Sequence, residues 1–290
     1  MNTIKTTMLM ALLMGILIAV GGAFAGRSGA MIMLVISLLM NFITYWFSDS
    51  MVLSAYGAKE VSEREAPELY RLVSNLAANA NLPMPKVCIV NSGVPNAFAT
   101  GRNPSHAAVA VTTGLMQALN YDEIGGVLSH ELAHIKHRDT LISTIAAAMA
   151  GVISMIASIA QWAAIFGGGR SDDDDDDNGG FIGLIVTIVI APLAAALIQM
   201  AISRSREYDA DETGGQICGN PNALANALQK IEYFSLNAPP MAQATTSTAH
   251  MCIINPLKGS RKMLSSLFST HPATEDRIAR LRQQAAAMGR

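Results

Sequence analysis

Four stretches of the chain carry apolar residues almost without interruption: 6–26, 28–48, 141–166 and 181–203. Each reaches the roughly 20 residues that a helix needs to cross a bilayer, and none contains a charged side chain. The second ends in Tyr45-Trp46-Phe47, amphipathic rings suited to a membrane interface. The fourth contains Pro192, a natural place for a kink. Two blocks between and after these stretches change period and read as soluble structure. In the first block, Ser62 and Glu65 of "SERE" have the spacing of a capping box. They predict a helix running to about Ala80, stopped by "NLPMP". "KVCIVN" (86–91), "NAFATG" (96–101) and "HAAVAVTT" (106–113) read as strands, the last two joined by a turn at Asn103-Pro104. A helix then starts near Asp122. In the second block, "RSREYDADETGGQ" continues the fourth stretch as helix. "PNALANALQKIEYFS" (221–235) is another, with Pro221 in its first turn. Residues 236–270 look irregular, and 274–288 form an amphipathic closing helix with Thr274 as a candidate cap.

This pattern divides the chain into 1–50 with two transmembrane helices, 51–140 as the first part of a soluble domain, a transmembrane hairpin over 141–203, and 204–290 as the second part. Lys5 and the closing "AFA" of the first stretch also fit a cleavable signal sequence. The length of the run and the span that follows at once favour a retained helix. Nearly all Lys and Arg lie in 59–138 and 204–290, which puts both blocks and both termini on the cytoplasmic side. The Gly-rich acidic loop 167–180 then lies outside, as a solvated connector.

Composition agrees with a membrane protein. Hydrophobic residues make up 51% of the chain and charged ones 14%, against about 25% charged in an ordinary soluble domain. The net charge of −2 includes six aspartates at 172–177. No basic stripe with interleaved aromatics occurs, which excludes nucleic acid as a partner. The three cysteines are far apart and odd in number, so they are free thiols of a reducing compartment. A transporter would need ionisable groups inside its spans, and these have none.

The chemistry concentrates in "SHELAHIKHRD" (129–139). Positions four apart share one helix face, so His130 and His134 can reach one zinc ion. Glu131 is turned about 100° round the helix from His130; it faces an attacking water as general base instead of competing as a ligand. A catalytic zinc needs a third protein ligand. Thr140 stands where a histidine further along the same motif would be. The better candidate is "SREYDAD" (205–211), where Glu207 and Asp211 are again four apart. Glu207 can ligate, and Asp211 can hold the far nitrogen of a ligand histidine. His271 in "THPATEDR" is the candidate donor to an oxyanion, with Tyr208 the second choice. Asn96, Ala97 and Phe98 of "NAFATG" are candidate substrate-binding residues, because an extended peptide can pair with a strand edge. His106 and His250 have no partners in a motif. His137, Arg138 and Asp139 read as anchors that fix the helix end near the headgroups.

"HELAHIKHRDT", "EYDAD", "PNAFATG" and "STHPATEDRIARL", in this order on a chain with four apolar spans, resemble the HtpX family of bacterial membrane heat-shock metalloproteases. That family also includes the CaaX prenyl proteases and belongs to the gluzincins. The resemblance covers essentially the whole chain. It implies a mainly α integral membrane protein with four transmembrane helices and a cytoplasmic α+β zincin-like domain with a small sheet. It implies a zinc endopeptidase with one Zn2+ per chain, resident in the bacterial inner membrane and degrading damaged or misassembled membrane proteins. His130, His134 and Glu207 are then the ligands, Glu131 the base and Asp211 the support of a ligand. The alternative is a zinc-stabilised adaptor that binds client proteins without hydrolysis; an acid at position 131 has no use in that role.

Overall fold

The computed structural model describes residues 2–143, 145, 204–237 and 272–290. The helix α1 (Asn2–Ala55) is not a straight rod. The Asn41 side-chain amide donates to the Met10 carbonyl at 3.5 Å, although 31 residues of straight helix would span about 46 Å. The chain turns back at Gly26, whose φ of 56° lies in the left-handed region that glycine enters without steric cost. A Cβ at Gly21 would collide with the Gly29 carbonyl and Met33, so the two arms cross closely. α1 therefore folds back on itself as a helical hairpin. Its second arm, Gly26–Phe47, is long and apolar enough to cross a membrane, with mean hydropathy 1.9. Met31, Val35, Leu38, Leu39 and Phe42 on this arm are exposed, unlike the core helix of a soluble protein. The remaining expected spans, 141–166 and 181–203, lie outside the described residues apart from 141–143 and 145, as does the acidic loop.

Four strands form one sheet: β1 (Lys59–Glu60), β2 (Lys86–Val90), β3 (Ala97–Asn103) and β4 (His106–Thr112). Their order is β1-β2-β4-β3. β4 runs parallel to β2 and antiparallel to β3. The three expected strands are β2 to β4; β1 is too short for its pattern to have marked it. Side chains alternate between two cores, as the pleat requires. Val87, Ala97, Ala99, Val109 and Val111 face a layer of helices. Cys88, Val90, Phe98, Ala108 and Ala110 face Val52 and Tyr56 at the end of α1. The Tyr56 and Phe98 rings lie 4.6 Å apart, so the end of α1 is packed directly under the sheet.

The helical layer contains α2 (Pro67–Asn79), α3 (Thr113–Ala118), α4 (Tyr121–His137), α5 (Arg204–Cys218), α6 (Pro221–Asn237) and α7 (Thr274–Ala287). The Ser62–Glu65 pair forms as expected: Glu65 Oε2 accepts from both the Ser62 amide and hydroxyl, each at 2.7 Å. The helix itself starts four residues later than the box implied, at Pro67. Proline keeps the residue before it out of the helical region, and Ala66 sits at φ −140°, ψ 65°. The working capping box is at α4, where the Asn120 side chain accepts from the Glu123 amide and Glu123 accepts from the Asn120 amide. Glu123 also pairs with Lys230 at 2.8 Å, which pins α6 beside α4. α7 begins at Thr274, with Ala273 at the cap position and no side-chain cap bond.

Candidate metal centre

α4 is buried along most of its length, from Gly125 through Ala133, so the charged and imidazole groups of His130 and Glu131 have to find partners inside the protein. α5 crosses it closely because position 214 is glycine. A Cβ there would stand 2.9 Å from the His130 nitrogen and 3.0 Å from its Cα. Gly214→Ala should cost about 1–3 kcal/mol of stability, since backbone on the other side has nowhere to go. Denaturant unfolding of the purified variant measures this. Unchanged stability would show that the helices are free to separate.

The close crossing brings Glu207 and Asp211 of α5 onto the histidine face of α4. His134 Nε2 lies 3.2 Å from His130 Nε2 and 3.5 Å from Glu207 Oε1. Ligand atoms of His130, His134 and Glu207 all fall within 4.8 Å of one another. Two imidazole nitrogens bonded at 2.0–2.1 Å to one tetrahedral ion stand about 3.3 Å apart, which fits the histidine pair. The far nitrogens are also held. His130 Nδ1 donates to Asp211 Oδ1 at 2.9 Å, and His134 Nδ1 donates to Asp139 Oδ2 at 3.2 Å. Each carboxylate thereby fixes the tautomer that turns Nε2 towards the shared point. Asp139 was expected to anchor the helix end near the headgroups. It is buried and faces His134 instead, because Arg138 takes a left-handed conformation (φ 60°) that ends α4 and turns the chain back.

Sequence reasoning missed one residue here. Arg277 of α7, inside the quoted "THPATEDR", is 2% exposed. Its Nη2 and Nε donate to the two Asp211 oxygens at 2.6 and 2.7 Å, and Nη1 lies 3.6 Å from Glu207. A fork of donors on a carboxylate is the pairing that lets a guanidinium be buried. Its signal in the sequence was an arginine at the position of α7 that shares the buried face with Thr274 and Leu281.

Electrostatics follow from this packing. Burial pushes the Glu131 carboxyl up, with Glu207 nearby adding to it, to about 7. Burial lowers His130 below its ordinary value despite the Asp211 bond. Burial works the same way on His134, but the Asp139 bond and the charges of Glu207 and Glu131 outweigh it and lift His134 to about 9. Asp211 falls to about 2: burial opposes ionisation, and Arg277 and His130 overcome it. Four carboxylates (Glu131, Asp139, Glu207, Asp211) meet two arginines, Arg206 and Arg277. When all are ionised, the excess is what one divalent cation neutralises. The carboxylates that favour a proton on His134 favour a dication at the same nitrogen. Two nitrogens and one carboxylate oxygen, at these spacings, fit a zinc-type ion.

The other expected site residues fall as follows. Asn96, Ala97 and Phe98 are all buried at the start of β3, an edge strand of the described sheet. Ala97 faces the helical core and Phe98 faces Tyr56. The Asn96 main chain bonds to Thr112 on both sides, the amide to Oγ1 at 2.9 Å and the carbonyl from the amide at 2.9 Å. Three residues on from Asn96, the Ala99 main chain bonds to Glu131. Tyr208 is half-buried with the Arg280 guanidinium 3.9 Å over its ring. His106 is exposed at the hairpin turn and bonds to Asn103. His271 and His250 lie outside the described residues.

Residues 63–285 match peptidase family M48. The chain belongs to that family. It is a metalloprotease, and its similarity to proteins called "Protease HtpX homolog" extends from end to end. One from Thermodesulfovibrio yellowstonii is 58% identical, over 98% of this chain and 99% of the relative. One from Syntrophobacter fumaroxidans is 55% identical, over 96% and 98%. One from Pyrococcus furiosus is 54% identical, over 99% and 97%. The fold is similar to the crystal structure of S. mikatae Ste24p, with a TM-score of 0.51 at 16% identity. That alignment covers 97% of this chain and 65% of the Ste24p chain.

The position of Asp139 has a measurable consequence. Asp139→Asn keeps the shape but removes the charge that orients His134. Metal affinity should fall about 10–100-fold, the usual effect of losing such a support. Competition with a calibrated chelator reads it directly, and an unchanged affinity would show that Asp139 does not support His134.

Proposed function

We propose that this M48 peptidase is a membrane-integrated zinc endopeptidase that cuts misfolded or damaged membrane proteins. The observation that carries this reading is the meeting of His130, His134 and Glu207, from helices far apart in sequence, at one point. In the proposed assignment these three hold one Zn2+ per chain, Asp211 and Asp139 orient the histidines, and Glu131 is the base. When bound, the ion supplies Lewis acidity that polarises a peptide carbonyl and acidifies water. Glu131 takes the proton of the attacking water and delivers it to the leaving amine. Its bond to the Ala99 main chain holds the carboxyl at the site wall. His271 is the proposed donor to the developing oxyanion. Any part that Asn96, Ala97 and Phe98 take in binding substrate is through the main chain, since Ala97 and Phe98 point into the two cores.

The proposed arrangement puts both halves of the catalytic domain, 51–140 and 204–290, on the cytoplasmic side of the bacterial inner membrane, joined by the hairpin 141–203. The concentration of Lys and Arg in those halves supports it. Chelation of purified protein should abolish casein cleavage, and stoichiometric Zn2+ should restore it. Cleavage that survives complete metal removal would overturn the reading. The non-hydrolytic adaptor is not favoured, since the chain is a member of a peptidase family and retains an acid at 131.

A further inference from the structure

Two contacts tie the far end of β3 to the membrane segments. The Arg102 guanidinium lies 4.7 Å over the Trp46 ring, and its Nη1 donates to the Trp46 carbonyl at 3.2 Å. Trp46 stands at the end of the apolar span Gly26–Phe47, in contact with Phe42 and Tyr45. Clustered aromatic rings at the end of a span sit at headgroup level. One residue back along β3, the Gly101 carbonyl accepts from Thr140 Oγ1 at 3.1 Å. The apolar stretch 141–166 begins at the very next residue. Two segments distant in sequence therefore mark the same level on one strand.

The reacting groups are close to that level. The Ala99 main chain bonds to Glu131. From Ala99 to Arg102 is three residues of strand, about 10 Å. Along α4 the measure is similar: nine residues separate Glu131 from Thr140, at most about 14 Å of helix. On the α5 side, Glu207 follows the end of the apolar stretch 181–203 by four residues and lies in the first turn of the helix that starts at Arg204. All three routes from the site to an apolar segment are short.

We propose that the site takes juxtamembrane segments: polypeptide that has just left a membrane span, cut within its first few residues beyond the headgroups. The inference rests on the metalloprotease reading above and adds a length rule to it. An extended chain needs about three residues to cover 10 Å. A bond closer to the span than this cannot reach Glu131. A bond much further away reaches it, but at a local concentration that falls roughly as the −3/2 power of the tether length.

The test uses the full-length protein in phosphatidylethanolamine–phosphatidylglycerol vesicles. Its substrates carry one transmembrane helix, a flexible Gly/Ser spacer of about 1, 4 or 24 residues, and one fixed cleavage sequence taken from a casein fragment that the enzyme cuts. Cleavage should be absent at the shortest spacer, fastest at the middle one, and about 15-fold slower at the longest, the factor that a sixfold longer tether gives. Casein is the untethered control, with Glu131→Gln protein as the blank. Casein cut by the wild type together with a flat spacer profile, or with the longest spacer fastest, overturns the length rule alone. Casein left intact by the wild type overturns the metalloprotease reading and the length rule with it.

Discussion

Glu131→Gln should abolish peptide-bond hydrolysis while the protein keeps its metal. The amide matches the carboxylate in size, so the packing of α4 is preserved. It cannot take a proton from water at neutral pH. General base catalysis contributes about 10²–10⁴-fold to rate, and the turnover of casein or a peptide should fall by at least that. Glu131 is not among the three ligand groups that converge, so bound zinc should stay at the wild-type level. Retained turnover in the purified variant would remove Glu131 from the assigned role. Lost metal would mean that it ligates.

Arg277→Met should produce the largest loss of stability of any single change at the site. Asp211 and Glu207 are buried, and Arg277 is the guanidinium between them. Methionine fills much of the volume without the charge. Removing one partner of a buried ion pair costs about 3–5 kcal/mol, because the other partner stays buried and uncompensated. Denaturant unfolding of the detergent-solubilised protein measures the change. If Arg277→Met does not fold, Arg277→Lys keeps a charge but loses the fork that grips both Asp211 oxygens. It should fold and bind metal about 10–100-fold more weakly, as loss of ligand support does elsewhere. Wild-type stability in Arg277→Met would mean that the pair carries no weight. Restored stability in the double variant with Asp211→Asn would identify the unpaired carboxylate as the cause.

The parts of this molecule that were legible in the sequence are those where one local pattern decides the outcome. The spacing of His130 and His134 already fixes a shared helix face, and Glu207 with Asp211 repeats it. The strands at 86–90, 97–103 and 106–112 are short apolar runs punctuated by Asn, Pro and Gly, too short between breakers to be helix. Residues that depend on a contact across the fold were not legible. Asp139 lies five positions after His134, and only the left-handed turn at Arg138 brings it back to the imidazole. Arg277 is one of several arginines in α7; its place on the face of Thr274 and Leu281 sets it apart from Arg280 and Arg282, which are exposed, but does not name its partner. Its burial is decided by Asp211 on another helix. Gly214 reads as a helix weakener until the His130 backbone is seen opposite it. The Ser62–Glu65 box was read correctly as a chemical pair but misplaced the helix start, because Pro67 overrides it.

The account depends on one ion held jointly by α4 and α5. The most direct measurement is metal content by mass spectrometry on wild-type, Glu131→Gln and Glu207→Ala proteins purified in parallel. The account predicts one zinc per chain in the first two and a loss to background in Glu207→Ala. Full zinc occupancy in Glu207→Ala would contradict it, because the histidine pair would then be completed by a group other than the one that α5 provides.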